Sequence, residues 1–213
     1  MKVALLGATG FVGAALLEEL IRRGHAVTTI LRHPEKLQGR GEITAVRGDV
    51  YDIDGLADAL RGHEALISAF NPGWTNPDLY EDQVRGTTTI LSAVRMAGVK
   101  RVLWVGGAGG LITPHGTRVL DNPNFPDAIR PGAMATLNAF EQLQNEPGLD
   151  WTYLAPSARL ESGGRTGRFR IGGDELLIDA NGDSHISVED YAVAMIDELE
   201  RPAHTRQRFT VGY

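Results

Sequence analysis

Three glycines near the beginning of the chain have a spacing that suits phosphate binding. Gly7, Gly10 and Gly13 follow the apolar run 3–6 and open a segment, 11–23, whose apolar residues recur at helical spacing. A dinucleotide pyrophosphate needs a tight turn, a backbone without a Cβ where it approaches, and free N–H groups at a helix N-terminus. The pattern predicts a dinucleotide site formed by Gly7, Thr9, Gly10, Phe11, Val12 and Gly13.

Two other interpretations of this turn follow from the same residues. Its first gap is one residue longer than in the common dinucleotide fingerprint, so an ordinary βα turn that binds nothing is an alternative. A nucleoside-triphosphate loop is excluded, because no Lys-Ser or Lys-Thr pair follows the glycines.

The end of the second apolar run, 26–31, indicates which dinucleotide is bound. An acidic residue there would accept from a ribose 2′-hydroxyl, whereas a basic residue suits a 2′-phosphate. Arg32 occupies this place, so NADPH is predicted over NADH, with NADH still usable. A merely solvated Arg32 is the alternative, and His33 either assists it or is a surface residue.

Further cofactor contacts are predicted where the next strands end. Asp49 and Val50 should lie at the adenine, although capping of the following turn is a comparable role for Asp49. Ala69 and Phe70 should pass the central ribose and pyrophosphate. Gly106 and Gly107 should border the nicotinamide, since small residues let a flat ring approach, or this loop simply turns the chain.

Short β-branched runs alternate with amphipathic segments, which predicts an α/β fold: a Rossmann-like, doubly wound parallel sheet in a single domain, 1–213. Beyond about residue 156 the pattern becomes irregular, and this small C-terminal region should lie over the carboxyl edge of the sheet, on the substrate side. The predicted strands are 3–6, 26–31, 43–46, 64–70, 101–105, 151–154 and 208–211, with hairpin or irregular strand at 169–171 and 176–178, and the longer predicted helices are 11–23, 77–97, 132–145 and 188–199.

The composition of the 213 residues excludes several classes of protein. Lysine and arginine total 21 and aspartate and glutamate 27, and the net charge of −6 gives no basic field for nucleic acid or an anionic membrane. The chain has no cysteine, which excludes disulfides and thiolate chemistry. The six histidines lack ligand spacing, so no metal site is expected. The first apolar run is too short for a signal peptide or a membrane span, so we expect a cytoplasmic protein.

Several segments together resemble the atypical branch of the short-chain dehydrogenase/reductase superfamily. They are GATGFVG at 7–13, LRHPEKL at 31–37, GDVYD at 48–52 and AGVKRVLWVGGAGGL at 97–111. The C-terminal segments 165–200 and 206–213 are similar to the NADH-flavin reductase group of that branch, with NmrA-like and biliverdin-IXβ reductases as more distant relatives. This resemblance spans essentially the whole chain and implies an NAD(P)H-dependent reductase with flavin as its substrate rather than as a tightly bound cofactor.

The chain departs from the superfamily in one important respect. The usual acid–base pair is Tyr-x-x-x-Lys, and no tyrosine of this chain has a lysine four residues later. Reduction of a ketone needs a proton donor beside the carbonyl oxygen, so that chemistry is disfavoured. Flavin reduction needs mainly orientation and proximity, because hydride goes to the ring and the proton can exchange with water.

Candidate substrate residues lie in the loops after the later strands: Asn71, Trp74, Arg118 and Ser157. Trp74 could stack on an isoalloxazine ring, and Arg118 or Arg159 could meet a phosphate tail, although loop packing and solvated surface are the alternatives. His115 is the available proton donor near the predicted nicotinamide, and a plain surface histidine is its other interpretation.

These residues support three hypotheses about function. The first is an NADPH-dependent oxidoreductase that reduces flavin or a similar planar acceptor. The second is an NmrA-like redox sensor that binds the dinucleotide without turnover. The third is an epimerase or dehydratase with resident nucleotide, which ranks last because it usually needs the missing Tyr-Lys pair. The sequence predicts neither the physiological acceptor nor the oligomeric state.

Overall fold

A computed structural model describes residues 1–37 and 43–213, and in these ranges it contains ten strands and five α-helices. The strands are β1 (Lys2–Leu6), β2 (Ala26–Leu31), β3 (Ile43–Arg47), β4 (Ala65–Ser68), β5 (Arg101–Val105), β6 (Asp150–Ala155), β7 (Arg159–Glu161), β8 (Arg170–Gly172), β9 (His185–Ser187) and β10 (Gln207–Gly212). The helices are α1 (Phe11–Arg22), α2 (Ile53–Leu60), α3 (Leu79–Ala97), α4 (Arg130–Gln144) and α5 (Val188–Glu200).

Eight strands form one sheet in the order β3-β2-β1-β4-β5-β6-β10-β8. All neighbours in it are parallel except β8, which runs antiparallel to β10. The chain leaves β1 towards β2 on one side and later fills β4 on the other, so the strand order reverses between β1 and β4. In open α/β sheets the crevice for ligands lies at the carboxyl ends of the strands at such a reversal.

Side chains from β1 alternate between two hydrophobic cores, one on each face of the sheet. Ala4 and Leu6 pack with α2, α3 and α4, whereas Val3 and Leu5 pack with α1 and α5. Helices therefore cover both faces, and the prediction of a Rossmann-like, doubly wound α/β fold is confirmed. No helix within residues 1–37 and 43–213 has both the length and the apolar character needed to cross a bilayer.

Helix starts follow local capping chemistry. The Asp52 carboxylate accepts from Gly55 N at 3.1 Å and caps α2, and the Ser187 hydroxyl accepts from Asp190 N at 3.1 Å and caps α5. The fourth helix begins at Arg130 with Pro131 in its first turn, two residues before the predicted start, because proline is well tolerated there.

The C-terminal region differs most from expectation. The predicted strand at 169–171 exists as β8, but it pairs with β10, and 176–178 is not a strand because Leu176 N instead donates to Ile112 O at 2.8 Å. The short parallel pair β7 and β9 was not predicted. Asp190, which is fully buried, fastens this region by accepting from Thr166 N and Gly167 N, both at 2.8 Å, and from the Tyr213 hydroxyl.

Candidate functional site

The turn between β1 and α1 requires glycine at two of the three positions. Gly7 has a φ of +79°, and a Cβ there would lie 2.6 Å from the carbonyl carbon of Ala69. A Cβ at Gly13 would overlap the carbonyl oxygen of Gly7 and lie 2.6 Å from its carbon. The turn is closed by a hydrogen bond from Gly10 N to Gly7 O at 2.9 Å. Strand, turn and helix therefore pack backbone against backbone.

The beginning of α1 provides donors for an anion. Gly10 is its N-cap and supplies no side-chain cap, and the first helical hydrogen bond runs from Ala14 N to Gly10 O. The N–H groups of Phe11, Val12 and Gly13 thus have no partner inside the helix, and the helix dipole adds positive potential there. Thr9 and Phe11 are exposed beside them. This cradle fits a pyrophosphate, because it combines free N–H groups with a turn in which Gly10 has no side chain, and a Cβ there would contact only Gly7 O, at 3.3 Å.

Arg32 follows β2 at the edge of this cradle. Its side chain is exposed and makes no ion pair or hydrogen bond with residues 1–37 or 43–213. His33 is differently placed, since its Nδ1 lies 3.0 Å from Glu35 Oε1. Arg32 is therefore free to bind an anion, and its contact with a 2′-phosphate stays a prediction.

Asp49 and Val50 lie directly after β3. One Asp49 carboxylate oxygen accepts from Tyr51 N at 3.0 Å, so the turn-capping role weighed for this residue is present. Val50 is half-buried against the core. No sequence pattern singles out Tyr51, yet its ring lies 6.0 Å from that of Phe70, edge to face, and 4.3 Å from the guanidinium of Arg85. The adenine contact of this corner stays a prediction.

The exit of β4 is held beside the glycine turn. Ala69 N donates to Leu6 O at 3.1 Å, and Gln83 Nε2 donates to the carbonyl of Phe70 at 3.1 Å. The Phe70 ring covers Gly86, where a Cβ would lie 2.8 Å from its Cζ. The structure thus brings Ala69 and Phe70 next to Gly7 with the help of Gln83 and Gly86 of α3, which sequence reasoning missed. Their contact with the central ribose and pyrophosphate stays a prediction.

The glycine loop after β5 is fixed by a buried tyrosine. Gly107 N donates to the Tyr153 hydroxyl at 3.0 Å, and that hydroxyl donates to Thr136 O at 3.0 Å. A Cβ at Gly106 would lie 2.8 Å from Leu154 O, and one at Gly107 would lie 2.6 Å from the Thr136 hydroxyl. Burial raises the pKa of Tyr153, so its phenol stays protonated near neutral pH. These glycines are required by close packing.

Helix α4 faces the same loop with uncharged side chains. Thr136 lies against Gly107, Ala133 against Gly109 and Leu137 against Gly110. None of the three has the acid–base chemistry of tyrosine or lysine. The missing Tyr-x-x-x-Lys pair is therefore not replaced on this face of α4.

Trp74 and Asn71 come from the loop that follows β4. The Trp74 indole is 62% exposed and covers Gly132, where a Cβ would lie 2.5 Å from the ring. Gly132 precedes Ala133 of the α4 face, so Trp74 lies within one helical turn of the residues that contact the glycine loop. Asn71 is exposed, and its side-chain oxygen accepts from Gly73 N at 2.7 Å. The structure thus brings Trp74 towards the predicted nicotinamide region.

Three other residues predicted for catalysis or substrate binding are placed less favourably for contact with a substrate. His115 is exposed at the tip of a turn closed by Gly116 N to Thr113 O, and it makes no ion pair or hydrogen bond with the residues described. Arg118 forms two hydrogen bonds to Asp121, at 2.8 and 2.9 Å. Ser157 needs correction: it is 1% exposed and donates to Val211 O at 2.8 Å, so its hydroxyl holds β10 and is closed to a substrate.

Comparison with known proteins identifies the family. Residues 7–202 match the family model described as NAD(P)H-binding. The chain belongs to this NAD(P)H-binding family. The match begins at the first glycine of the cradle and includes α1 and Ala69. This match confirms the expected resemblance to the atypical short-chain dehydrogenases/reductases. Within residues 1–37 and 43–213, no cluster of three metal-binding side chains is present.

Three relatives span nearly the whole chain. The protein YwnB of Bacillus subtilis is 36% identical over 99% of this chain and 98% of its own. A Bacteroides thetaiotaomicron structure named "putative epimerase" is 44% identical, covers 100% of this chain and 96% of its own, and has a TM-score of 0.92. A Streptococcus pneumoniae structure named "putative NADH-flavin reductase" is 33% identical, covers 100% and 99%, and has a TM-score of 0.87.

Proposed function

We propose that this NAD(P)H-binding protein is an NADPH-dependent oxidoreductase that reduces flavin or a similar planar acceptor by hydride transfer. The observation that carries the proposal is the uncharged face of α4, formed by Thr136, Ala133 and Leu137, opposite the glycine loop at Gly107, Gly109 and Gly110. An α4 face that offers no tyrosine or lysine acid beside a dinucleotide cradle suits an acceptor whose ring takes a hydride directly. The buried Tyr153 hydroxyl in the same loop is already bonded to Gly107 N and Thr136 O.

Each part of the chain has a defined role in this proposal. The free N–H groups at the beginning of α1 bind the pyrophosphate, and Arg32 binds the 2′-phosphate. Tyr153 holds Gly107 so that the loop presents its backbone to the nicotinamide. When bound, NADPH supplies a hydride at the nicotinamide ring. The protein contributes orientation and proximity, and solvent supplies the proton that a reduced flavin ring takes up.

The name of the Bacteroides relative raises a second possibility, epimerase chemistry. That chemistry usually needs an acid–base pair, and Ala133, Thr136 and Leu137 stand where α4 meets the glycine loop. The name of the Streptococcus relative agrees with the proposed reaction and motivates flavin as the first acceptor to test.

The proposal is tested by following NADPH absorbance with riboflavin, FMN and a quinone as separate acceptors, without oxygen. We expect steady NADPH consumption matched by reduction of the acceptor, and slower consumption of NADH. A Gly13→Ala variant provides the negative control, because its Cβ overlaps the Gly7 carbonyl and displaces the beginning of α1 that would bind the phosphates. Tight NADPH binding without turnover on any of these acceptors would contradict the proposal and favour a redox sensor.

A further inference from the structure

A groove of about 400 Å³ opens between the amino-terminal ends of α3 and α4. Its apolar walls come from Pro77 and Tyr80 on one side and from Pro131 and Met134 on the other. Ligand pockets typically have volumes of about 300–1,000 Å³, so the groove has room for a fused ring system. Neither the glycine cradle nor the predicted cofactor contacts include any of these four residues.

The groove joins the substrate side of the site through α4. Gly132, the residue after Pro131, is covered by Trp74, and Thr136 in the next turn contacts Gly107. Trp74 is 62% exposed and Met134 45%, so two large apolar side chains remain open to solvent beside the groove. Because the Trp74 indole rests on Gly132 and is largely exposed, a flat aromatic ring can stack on it.

The charges along the groove are unfavourable for a phosphate. Glu81 and Asp127 line it together with one cation, Arg130. Each of the three nitrogens of Arg130 already donates one hydrogen bond, to Asp127 Oδ1 at 3.2 Å and to the carbonyls of Leu120 and Phe125 at 3.2 and 3.1 Å. Two carboxylates against one occupied guanidinium leave the groove with a net negative charge.

Arg118, the candidate for binding a phosphate tail, already forms an ion pair. Arg118 lies in the same β5–α4 connection, and both of its hydrogen bonds go to Asp121. The pair raises the pKa of Arg118 and lowers that of Asp121, so both stay charged and joined around neutral pH. By contrast, Arg32 on the cofactor side is exposed without a partner among the residues described.

From this arrangement we propose that the groove beside Trp74 binds the acceptor, and that the acceptor is an uncharged planar heteroaromatic molecule rather than a phosphorylated one. The inference rests on the proposed reductase function. Within it, the flat ring stacks on Trp74 and its apolar edge contacts Pro77, Tyr80 and Met134. Phosphate would meet Glu81 and Asp127.

Binding is measured separately from turnover, with the oxidised cofactor NADP⁺ present so that no reaction occurs. Riboflavin and FMN share one ring and differ by a phosphate, so they isolate the effect of charge. Titrations are followed by calorimetry and by quenching of flavin fluorescence, which stacking on indole produces. We expect riboflavin to bind about five- to tenfold more tightly than FMN. Higher salt should reduce this difference in affinity, because it screens the repulsion between the phosphate and the carboxylates.

Three variants test the groove itself. Trp74→Ala and Met134→Ala should each weaken riboflavin binding about tenfold, whereas Met96→Ala should not change it. Met96 is the matched control, since it is 51% exposed but lies near the end of α3. Glu81→Lys should raise the affinity for FMN several-fold and leave that for riboflavin nearly unchanged.

The possible outcomes separate this inference from the proposed function. Tighter binding of FMN than of riboflavin, or unchanged binding in both Trp74→Ala and Met134→Ala, would overturn the inference even if NADPH is consumed. Groove-dependent binding of riboflavin without any NADPH oxidation would support the acceptor site and contradict the reductase proposal.

Discussion

At two positions of the first turn, only glycine fits, because its side chain is a single hydrogen atom. Gly7 and Gly13 are needed because a Cβ at either position meets the backbone, of Ala69 in one case and of Gly7 in the other. The sequence was sufficient to predict the glycine cradle, since its spacing is local. The role of Ala69 as the opposing wall depends on β4, and no spacing within the first turn could reveal it.

Replacing Gly13 by alanine should damage both the turn and the nucleotide site. The added Cβ overlaps Gly7 O, so the helix must move, and overpacking of this kind costs about 1–3 kcal/mol. We expect a lower urea midpoint and at least tenfold weaker NADPH binding by calorimetry. Gly148→Ala is the control, because nothing lies within 4 Å of a Cβ there. Unchanged NADPH affinity in Gly13→Ala would show that the phosphates bind elsewhere.

Arg32 should determine the choice between the two nicotinamide cofactors. Replacing it with glutamate removes a charge-assisted contact worth about 1.5–3 kcal/mol, so NADPH should bind ten- to a hundredfold more weakly. NADH should lose little, because its ribose carries no 2′-phosphate. Competition binding with both nucleotides measures the ratio, and Arg201→Glu, at an exposed position just after α5, controls for the change in net charge. An unaltered ratio would remove Arg32 from the site.

At the scale of elements, regular periodicity was predictable and long-range pairing was not. Strands β1, β2 and β5 and helices α1, α3 and α5 fall within two residues of their predicted bounds, because each carries its own apolar pattern. The pair β7 and β9 has three residues per strand, too few for a visible period. Residues 176–178 are apolar but extend across Ile112 instead of forming a strand, a contact that no local pattern contains.

The residues of the candidate site also fall into those predictable from local sequence and those brought together only by long-range contacts. The cradle and Arg32 belong to connections after consecutive strands, so strand ends predict their position. The contacts of Trp74 with Gly132 and of Gly107 with Tyr153 join elements some 45 to 60 residues apart along the chain. Ser157 was misassigned because a loop serine and a buried serine that fastens a strand look alike in the sequence.

Tyr153 of β6 should hold the glycine loop after β5 in the conformation that binds the cofactor. Replacing it with phenylalanine leaves Gly107 N and Thr136 O without their partner, which costs about 1–3 kcal/mol in a buried setting. We expect a lower melting temperature and a severalfold higher Kd for NADPH.

Tyr191→Phe separates these two effects. Its hydroxyl donates to Leu154 O, which keeps its hydrogen bond from Gly106 N in the variant. Both variants should lose stability, but only Tyr153→Phe should lose NADPH affinity. Equal loss of affinity in the two would reduce Tyr153 to a general packing role.

At the scale of the whole molecule, the predicted cofactor site and a buried network of charged residues lie at opposite ends of the sheet. Arg101 begins β5 and donates to the Glu198 carboxylate of α5 at 2.9 Å, whereas Gly106 follows the other end of the same strand. Five strand residues separate these ends by about 16 Å. Glu198 is 4% exposed and also accepts from His204 Nδ1 at 2.8 Å. The network joins α5 to the amino edge of the sheet, away from the cradle.

This network should make the protein sensitive to acid. Burial alone would raise the pKa of Glu198, but His204, the backbone N–H groups of Ala203 and His204, and Arg101 outweigh it and hold that pKa below its ordinary 4.5. A carboxyl whose pKa is lowered on folding stabilises the protein above its unfolded pKa, and this contribution is lost as pH falls through the folded value. The urea midpoint should therefore fall steadily as the pH is lowered below about 5.

Replacing Glu198 with glutamine tests the assignment. At neutral pH the variant leaves the Arg101 charge buried without its partner, which costs about 3–5 kcal/mol, and its stability should depend less on pH below about 5. Glu161→Gln, at an exposed position, should follow the wild-type curve. Because the network is remote from the glycine turn, NADPH affinity of folded Glu198→Gln at neutral pH should match that of the wild type. A large loss of affinity there would mean that the two ends of the sheet are coupled.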